Sequence, residues 1–318
     1  MDIFYVVGHK NPDTDSVCSA IALSDYLSKC STKTNSDEKY EPAIQGEINE
    51  ETKCALNKFG VETPLILTDA TNKKVILVDH NNKMQTLDNI EKAEKIVRVL
   101  DHHPINFSYQ EQIEFLTMPV GSTATIIAQM YFKENINIDK KIAGLLLSAI
   151  LSDTVVFKSP TTTDIDKIMA KKLEKIADIS NFEVFGLELK KAKASLKNKT
   201  PCQIIDADFK EFNMNGCKVG IGQLEVVDFE DFYAIKEQVS SQMKKMKQDK
   251  NYTLVLLVFT DILREGSEFL TAGDVDAVKK AFNISTIDGI FLKGMMSRKK
   301  QVAPLLENYY NKNQNNKN

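Results

Sequence analysis

Short apolar runs alternate with longer amphipathic stretches along the first half of the 318-residue chain. Residues 3–7, 74–78 and 96–100 are compact and partly β-branched and read as strands; 65–67 and 113–118 read as weaker ones. The stretches between them have helical spacing. Val17, Ile21, Leu23 and Leu27 mark the apolar side of a helix over 14–28, and Asn49 is placed to cap another over 49–59. Further helices are expected over 122–132, over 142–151 and over 164–177. The second of these is almost wholly apolar, which predicts burial. The polar stretch 29–38 reads as a loop. Strands alternating with helices predict an α/β fold with a parallel sheet.

The pattern changes over 189–200, Leu-Lys-Lys-Ala-Lys-Ala-Ser-Leu-Lys-Asn-Lys-Thr, which reads as a basic helix end running into a hinge linker. This basic stretch is either a solvated face or, for an anionic substrate, a functional one. Pro201 starts a second, smaller α/β unit. Strands are expected over 217–227, 252–260 and 289–293, with helices over 229–247 and 275–282. Residues 311–318 are rich in Asn and Lys and are expected to be a disordered tail. The domains are therefore placed at 1–188 and 201–310, with the linker at 189–200.

The three clear strands share one feature: each runs straight into an Asp/His cluster. After 3–7 comes His9-Lys10-Asn11-Pro12-Asp13-Thr14-Asp15-Ser16, after 74–78 comes Asp79-His80-Asn81-Asn82, and after 96–100 comes Asp101-His102-His103-Pro104. The chain has only 4 histidines, and each lies close to an aspartate. Ligands of open α/β sheets bind outside the carboxyl ends of the strands, so these clusters should meet at one edge. Asp153 ends the apolar 142–151 helix, where an ionised carboxylate needs a partner. His9, Asp13, Asp15, Asp79, His102 and Asp153 are thus candidate metal ligands. The bland alternative is a set of capped turns, in which Asn-Pro-Asp is turn chemistry and Asp15 or Ser16 simply caps the next helix. Gly121-Ser122-Thr123 can likewise be an N-cap or a phosphate-binding helix start.

Composition narrows the class. A net charge of -3 gives no global basic footprint, so nucleic acid is not an expected partner. The 5 cysteines are scattered without Cys-x-x-Cys spacing, which predicts free thiols, a reducing compartment and no thiolate zinc site. The N-terminus lacks a signal-peptide pattern and the longest apolar run, 254–259, cannot span a bilayer. A cytoplasmic protein with no membrane partner is expected.

Six protein ligands are too many for one open site and suit two metals about 3.5–4 Å apart, which need a bridging carboxylate. Two such ions can hold a bridging water and lower its pKa toward neutrality, making a hydroxide nucleophile for phosphorus. A mixed imidazole and carboxylate set suits Mn2+ or Co2+. The run Arg298-Lys299-Lys300 in the second unit offers cations for phosphate oxygens; its alternative is a solvated surface turn. A metal domain and a cation-bearing domain joined by a hinge suggest closure over a polyanion.

His9-Lys10-Asn11-Pro12-Asp13-Thr14-Asp15-Ser16, Asp101-His102-His103, Ser152-Asp153-Thr154 and Ser297-Arg298-Lys299-Lys300-Gln301 together resemble the manganese-dependent (family II) inorganic pyrophosphatases of the DHH phosphoesterase superfamily. The resemblance implies an N-terminal parallel-sheet DHH domain, a smaller C-terminal DHHA2-type domain and hydrolysis of pyrophosphate to two phosphates. It implies one Mn2+ or Co2+ on His9, Asp13 and Asp79, and a second on Asp15, Asp79, His102 and Asp153, with Asp79 as the bridge. His103 would face the substrate as donor or acid, and Lys210, Arg298 and Lys299 would bind phosphate. Lys210 rests on the looser match Asp208-Phe209-Lys210-Glu211-Phe212. A further Mg2+ would arrive with the substrate, and a homodimer would pair through the first domain's sheet. Asn82 stands where the family often has an acid, and only 21 residues separate Asp79 from Asp101, too few for the regulatory nucleotide-binding insert of some relatives.

Two other readings remain at this point. A superfamily exopolyphosphatase or short-oligonucleotide phosphodiesterase would carry a glycine-rich, histidine-bearing motif in its second domain, and no histidine follows His103. A non-catalytic metal- or phosphate-binding protein would keep the ligands without turnover.

Overall fold

The computed structural model describes residues 2–314 except 35, 195, 197, 198, 228, 262 and 263. The chain divides into two compact units, Met1–Lys193 and Ala194–Asn318.

The first unit runs β1 (Asp2–Lys10), α1 (Thr14–Thr34), β2 (Glu38–Gln45), α2 (Glu50–Phe59), β3 (Leu65–Ile66), β4 (Lys74–Val78), β5 (Lys95–Asp101), β6 (Glu114–Thr117), α3 (Thr123–Lys133), α4 (Lys140–Asp153), α5 (Asp164–Ala177) and α6 (Phe182–Ala194). The strands lie in the order β3-β2-β1-β4-β5-β6 and every pairing is parallel. The order reverses between β1 and β4, the switch point where such sheets bind ligands. The strands are apolar on both faces because both are covered. Ile76 and Val78 of β4 join the core under α1, α3 and α4, while Val75 and Leu77 pack on the other side with Leu87, Ile96 and Val99.

Two local departures from expectation have physical causes. Helix α1 continues through 29–34, predicted as loop, where Lys29 pairs with Asp25 one turn back at 2.6 Å. Helix α6 continues to Ala194, so half of the predicted linker is helical; 195, 197 and 198 lie outside the described residues.

The second unit runs α7 (Pro201–Asp206), β7 (Phe209–Met214), β8 (Cys217–Val226), α8 (Glu230–Asp249), β9 (Leu254–Asp261), β10 (Gly266–Gly273), α9 (Val275–Phe282), β11 (Leu292–Lys293) and α10 (Ala303–Gln314). Thr200 and Gln203 close a capping box on α7, with Pro201 in its first turn. Strands β8 and β9 are parallel and the other pairings antiparallel, in the order β11-β10-β9-β8-β7. The expected strand over 289–293 is only its last two residues. Residues 311–314, predicted as disordered tail, are the last turn of α10, and 315–318 lie outside the described residues. Among the described residues, no helix is long and apolar enough to cross a membrane.

Candidate metal centre

The end of β1 and the turn that follows it are folded tightly against the start of α1. A Cβ on Gly8 would lie 1.9 Å from Ser16 Oγ, so only glycine permits the approach. Ser16 Oγ in turn accepts from the His9 amide at 3.0 Å, and Asp13 Oδ1 accepts from the Ser16 amide at 2.9 Å. Asp13 therefore caps the helix and still faces His9, with Oδ1 3.5 Å from His9 Nε2. The capping and ligand readings of this loop coexist.

Asp79 follows β4 with φ 62°, a left-handed backbone that is uncommon outside glycine and Asn/Asp. Its amide bonds the Leu100 carbonyl at 2.9 Å, which locks the turn against β5. From there its two oxygens face two different histidines. Oδ2 is 3.5 Å from His9 Nε2, and Oδ1 is 3.5 Å from His102 Nε2. Asp153 Oδ2 approaches the same His102 nitrogen at 3.7 Å. Two groups result, each with its ligand atoms within 4.8 Å of one another: His9, Asp13 and Asp79; and Asp15, Asp79, His102 and Asp153. All six sequence-predicted ligands fall into these groups, and Asp79 belongs to both. Asp79 also lies within reach of His102 and His103 in a third grouping.

The surroundings suit the lone pairs to a cation. His9 Nδ1 is 2.8 Å from the Lys10 carbonyl and His102 Nδ1 is 2.9 Å from the Val120 carbonyl. In the neutral ring, an N–H given to a carbonyl leaves Nε2 as the lone pair, the usual arrangement behind a metal-ligating histidine. Asp79 Oδ2 and His102 Nε2 are buried and have no hydrogen-bond partner among the described residues. Buried polar atoms are rarely left so, and a divalent cation among these nitrogens and oxygens would satisfy both. The donor chemistry is that of Mn2+, Co2+ or Fe2+ rather than Ca2+.

Asp15 is held by the start of α3. Its oxygens accept from the Thr123 amide at 2.6 Å, the Ala124 amide at 3.0 Å and Ser19 Oγ at 2.9 Å. This helix N-terminus is thus engaged by the chain's own carboxylate, which its dipole favours. Ser122 Oγ supplies the cap, accepting from the Ala124 amide at 3.1 Å. Thr123 Oγ1 donates to Asp79 Oδ1 at 2.8 Å.

Asp153 ends α4 and leads into Val155, Val156 and Phe157, all left-handed with φ 50°, 52° and 64°. β-Branched residues rarely adopt this backbone. Val156 is seated on Gly186 of α6, where a Cβ would lie 2.7 Å from Val156 Cγ2. The same helix sends Lys190 to the Ser152 carbonyl at 3.0 Å and to Glu51 Oε1 at 3.3 Å. Glu51 is fully buried, accepts from Ser152 Oγ at 2.9 Å, and lies 3.4 Å from Lys193 Nζ. Lys190 of the basic stretch is therefore paired inward, while Lys193 reaches the same carboxylate from the surface.

Burial raises Asp79 and Asp153 well above the usual carboxylate range, and the neighbouring aspartates raise them further. Burial alone would lower His9, but Asp13 and Asp79 outweigh it and raise its pKa to about 11. Burial pushes His80 down to about 4, so that ring is neutral at ordinary pH. His103 is half-exposed and its Nδ1 is 2.9 Å from Asp101 Oδ1, which raises its pKa. Asp101 is itself buried and anchored by Asn81 Nδ2 at 2.5 Å.

In the second unit, Lys210 in β7 and Lys299 are exposed and have no carboxylate partner among the described residues. Arg298 differs from the sequence expectation of an open fork. It is only 6% exposed, its Nη2 meets Asp208 Oδ1 at 2.8 Å, and its Nη1 donates to the carbonyls of Asp208 and Ile221.

Sequence reasoning missed Thr123, Asp101, Asn81 and Glu51. Only the first aspartate of Asp101-His102-His103 carried a local signal. The others act on residues 20 to 101 positions away.

Residues 3–150 match the DHH family, N-terminal domain, and 187–309 match the DHHA2 domain. A manganese-dependent inorganic pyrophosphatase of Methanocaldococcus jannaschii is 48% identical over 317 residues, covering 96% of this chain and 99% of that protein. One from Bacillus subtilis is 43% identical over 311 residues, covering 96% and 98%. A crystal structure of a Methanococcus jannaschii chain assigned to family II inorganic pyrophosphatase superposes with a TM-score of 0.60 at 47% identity, covering 97% of this chain and 99% of the other.

Proposed function

This chain belongs to the family of manganese-dependent inorganic pyrophosphatases, and from that premise we propose that it hydrolyses pyrophosphate to two phosphates at a two-metal centre. The observation that carries this reading is the split of Asp79, whose Oδ2 faces His9 and whose Oδ1 faces His102, each at 3.5 Å. A carboxylate that offers one oxygen to each of two ligand groups is what a bridged pair of ions requires.

His9, Asp13 and Asp79 would hold one Mn2+ or Co2+, and Asp15, Asp79, His102 and Asp153 the other. When bound, such ions act as Lewis acids on phosphoryl oxygens and lower the pKa of water toward neutrality. The chain's own groups do the rest. His103 carries its second proton on Nε2, because Asp101 takes Nδ1–H, and donates it to the departing phosphate. Asp101 and Asn81 keep that ring in place. Lys210 and Lys299 neutralise phosphate oxygens as exposed point charges, and Arg298 adds the N–H groups that its bonds to Asp208 and Ile221 leave over. A Mg2+ accompanies the substrate. The protein works in the cytoplasm as a homodimer joined through the sheet of its first unit.

The test is phosphate release from pyrophosphate by metal-stripped protein reloaded with Mn2+, Co2+, Mg2+ or Zn2+, with tripolyphosphate and a dinucleotide alongside. Mn2+- or Co2+-favoured cleavage of pyrophosphate alone is the expected result. Preference for the longer substrates would instead indicate an exopolyphosphatase or oligonucleotide phosphodiesterase, and no cleavage would indicate a binding protein.

A further inference from the structure

Gln223 of β8 grips the turn that carries Arg298 and Lys299. Its Nε2 donates to the Met296 carbonyl at 2.9 Å, and its Oε1 accepts from the Arg298 amide at 2.9 Å. These two backbone groups flank Ser297. The side-chain amide thus makes the pair of bonds that a neighbouring parallel strand would make to that residue. The same Nε2 donates to Thr260 Oγ1 of β9 at 3.0 Å, which fastens the amide to the sheet.

The turn depends on such contacts. Gln301 Oε1 accepts from the Met296 and Ser297 amides at 2.8 and 2.9 Å, so a second glutamine closes it from the other end. Arg298 then reaches back to Asp208, two positions before Lys210. The backbone that aims Lys299, and the guanidinium beside the Lys210 strand, are both referenced to one amide on β8.

We propose that Gln223 is a positioning residue for phosphate binding: it fixes the Met296–Arg298 turn and through it the placement of Arg298, Lys299 and Lys210. The inference rests on the reading that those cations bind substrate phosphate. An apolar side chain at 223 would leave the Met296 carbonyl and the Arg298 amide without their partner, and the turn would move to recover it.

The test uses the Mn2+-loaded full chain with Gln223→Met, and with Thr260→Val, which removes the fastening of the amide to the sheet together with the bond between Thr260 Oγ1 and Ser267 Oγ. Arg298→Ala and Lys299→Ala serve as references. Kinetics with pyrophosphate, Mn2+ affinity and Tm are measured for each. Gln223→Met is expected to raise KM about tenfold with a smaller change in kcat, the signature of misplaced binding groups, while Mn2+ affinity stays as in the parent. Thr260→Val should raise KM about two- to threefold by the same route. Should Gln223→Met fail to fold, Thr260→Val decides. An unchanged KM in the Gln223 and Thr260 variants, with KM raised in both reference variants, would overturn the inference. So would loss of Tm and Mn2+ affinity without a KM effect, since that marks a structural role only. An unchanged KM in the two reference variants would instead sink the phosphate-binding reading itself.

Discussion

Thr123 Oγ1 donates a 2.8 Å hydrogen bond to Asp79 Oδ1, the same oxygen that faces His102 at 3.5 Å. The bond fixes the carboxylate plane so that Oδ2 turns toward His9. Thr123→Val keeps the shape and the backbone bond to Asp15 but removes this donor. Metal affinity should fall about 10- to 100-fold, the usual cost of losing a partner that orients a ligand. Titration of stripped protein with Mn2+ would show it, and unchanged affinity would mean that Asp79 needs no such support.

His103→Gln should retain both metals and lose about 100- to 10,000-fold in kcat, the range for removing a general acid. Metal content and turnover measured on one preparation separate the two roles. Normal turnover would remove His103 from the reaction.

Metal removal should make stability strongly dependent on pH. His9, at about 11 in the folded chain, is raised above the ordinary histidine value of 6.5. Its contribution is therefore complete below about 6.5 and is lost as pH climbs toward 11. Asp79 and Asp153 are raised carboxylates, so the folded chain binds more protons than the unfolded one and stability again falls as pH rises. The stripped protein should lose Tm steadily from pH 7 to 9, while Mn2+, which displaces those protons, should stabilise more at pH 9 than at pH 7. Calorimetry of both forms across that range provides the check; a stripped form that gains stability with pH would contradict the assigned shifts.

Glu51 holds Lys190, whose side chain is 13% exposed, together with Ser152 next to Asp153. Glu51→Leu strands that ammonium and should cost about 3–5 kcal/mol in denaturant unfolding. A cost below about 1 kcal/mol, typical of an exposed pair, would show that Lys190 finds water instead.

What the sequence disclosed was local. The strands ending at 7, 78 and 100 were legible because each apolar run and its Asp/His cluster are contiguous, and parallel order then forces the clusters together. The helices over 164–177 and 275–282 stand at the residues where the sequence places them. Strand β10, Gly-Ser-Glu-Phe-Leu-Thr-Ala-Gly, was not legible, because its strand character comes from antiparallel pairing with β9 rather than from its composition. Arg298 looked like part of an exposed basic run because the carboxylate that engages it lies 90 positions earlier. Thr123 was hidden for a similar reason: a threonine opening a helix looks like any other, and its role comes from Asp79 arriving beside it.

The left-handed turn after Asp153 has a consequence for how the protein assembles. Three consecutive non-glycine residues in that conformation are disfavoured by roughly 1–2 kcal/mol each, so a chain without its tertiary contacts would not hold them there. The seat for Val156 is on Gly186, which is synthesised 30 positions later. A nascent chain that already contains His9, Asp13, Asp15, Asp79, His102 and Asp153 would still lack the clamp that aims Asp153. On the proposed ligand set, Asp153 would be aimed at its cation only after α6 has been made, so full-strength metal capture would follow completion of the first unit.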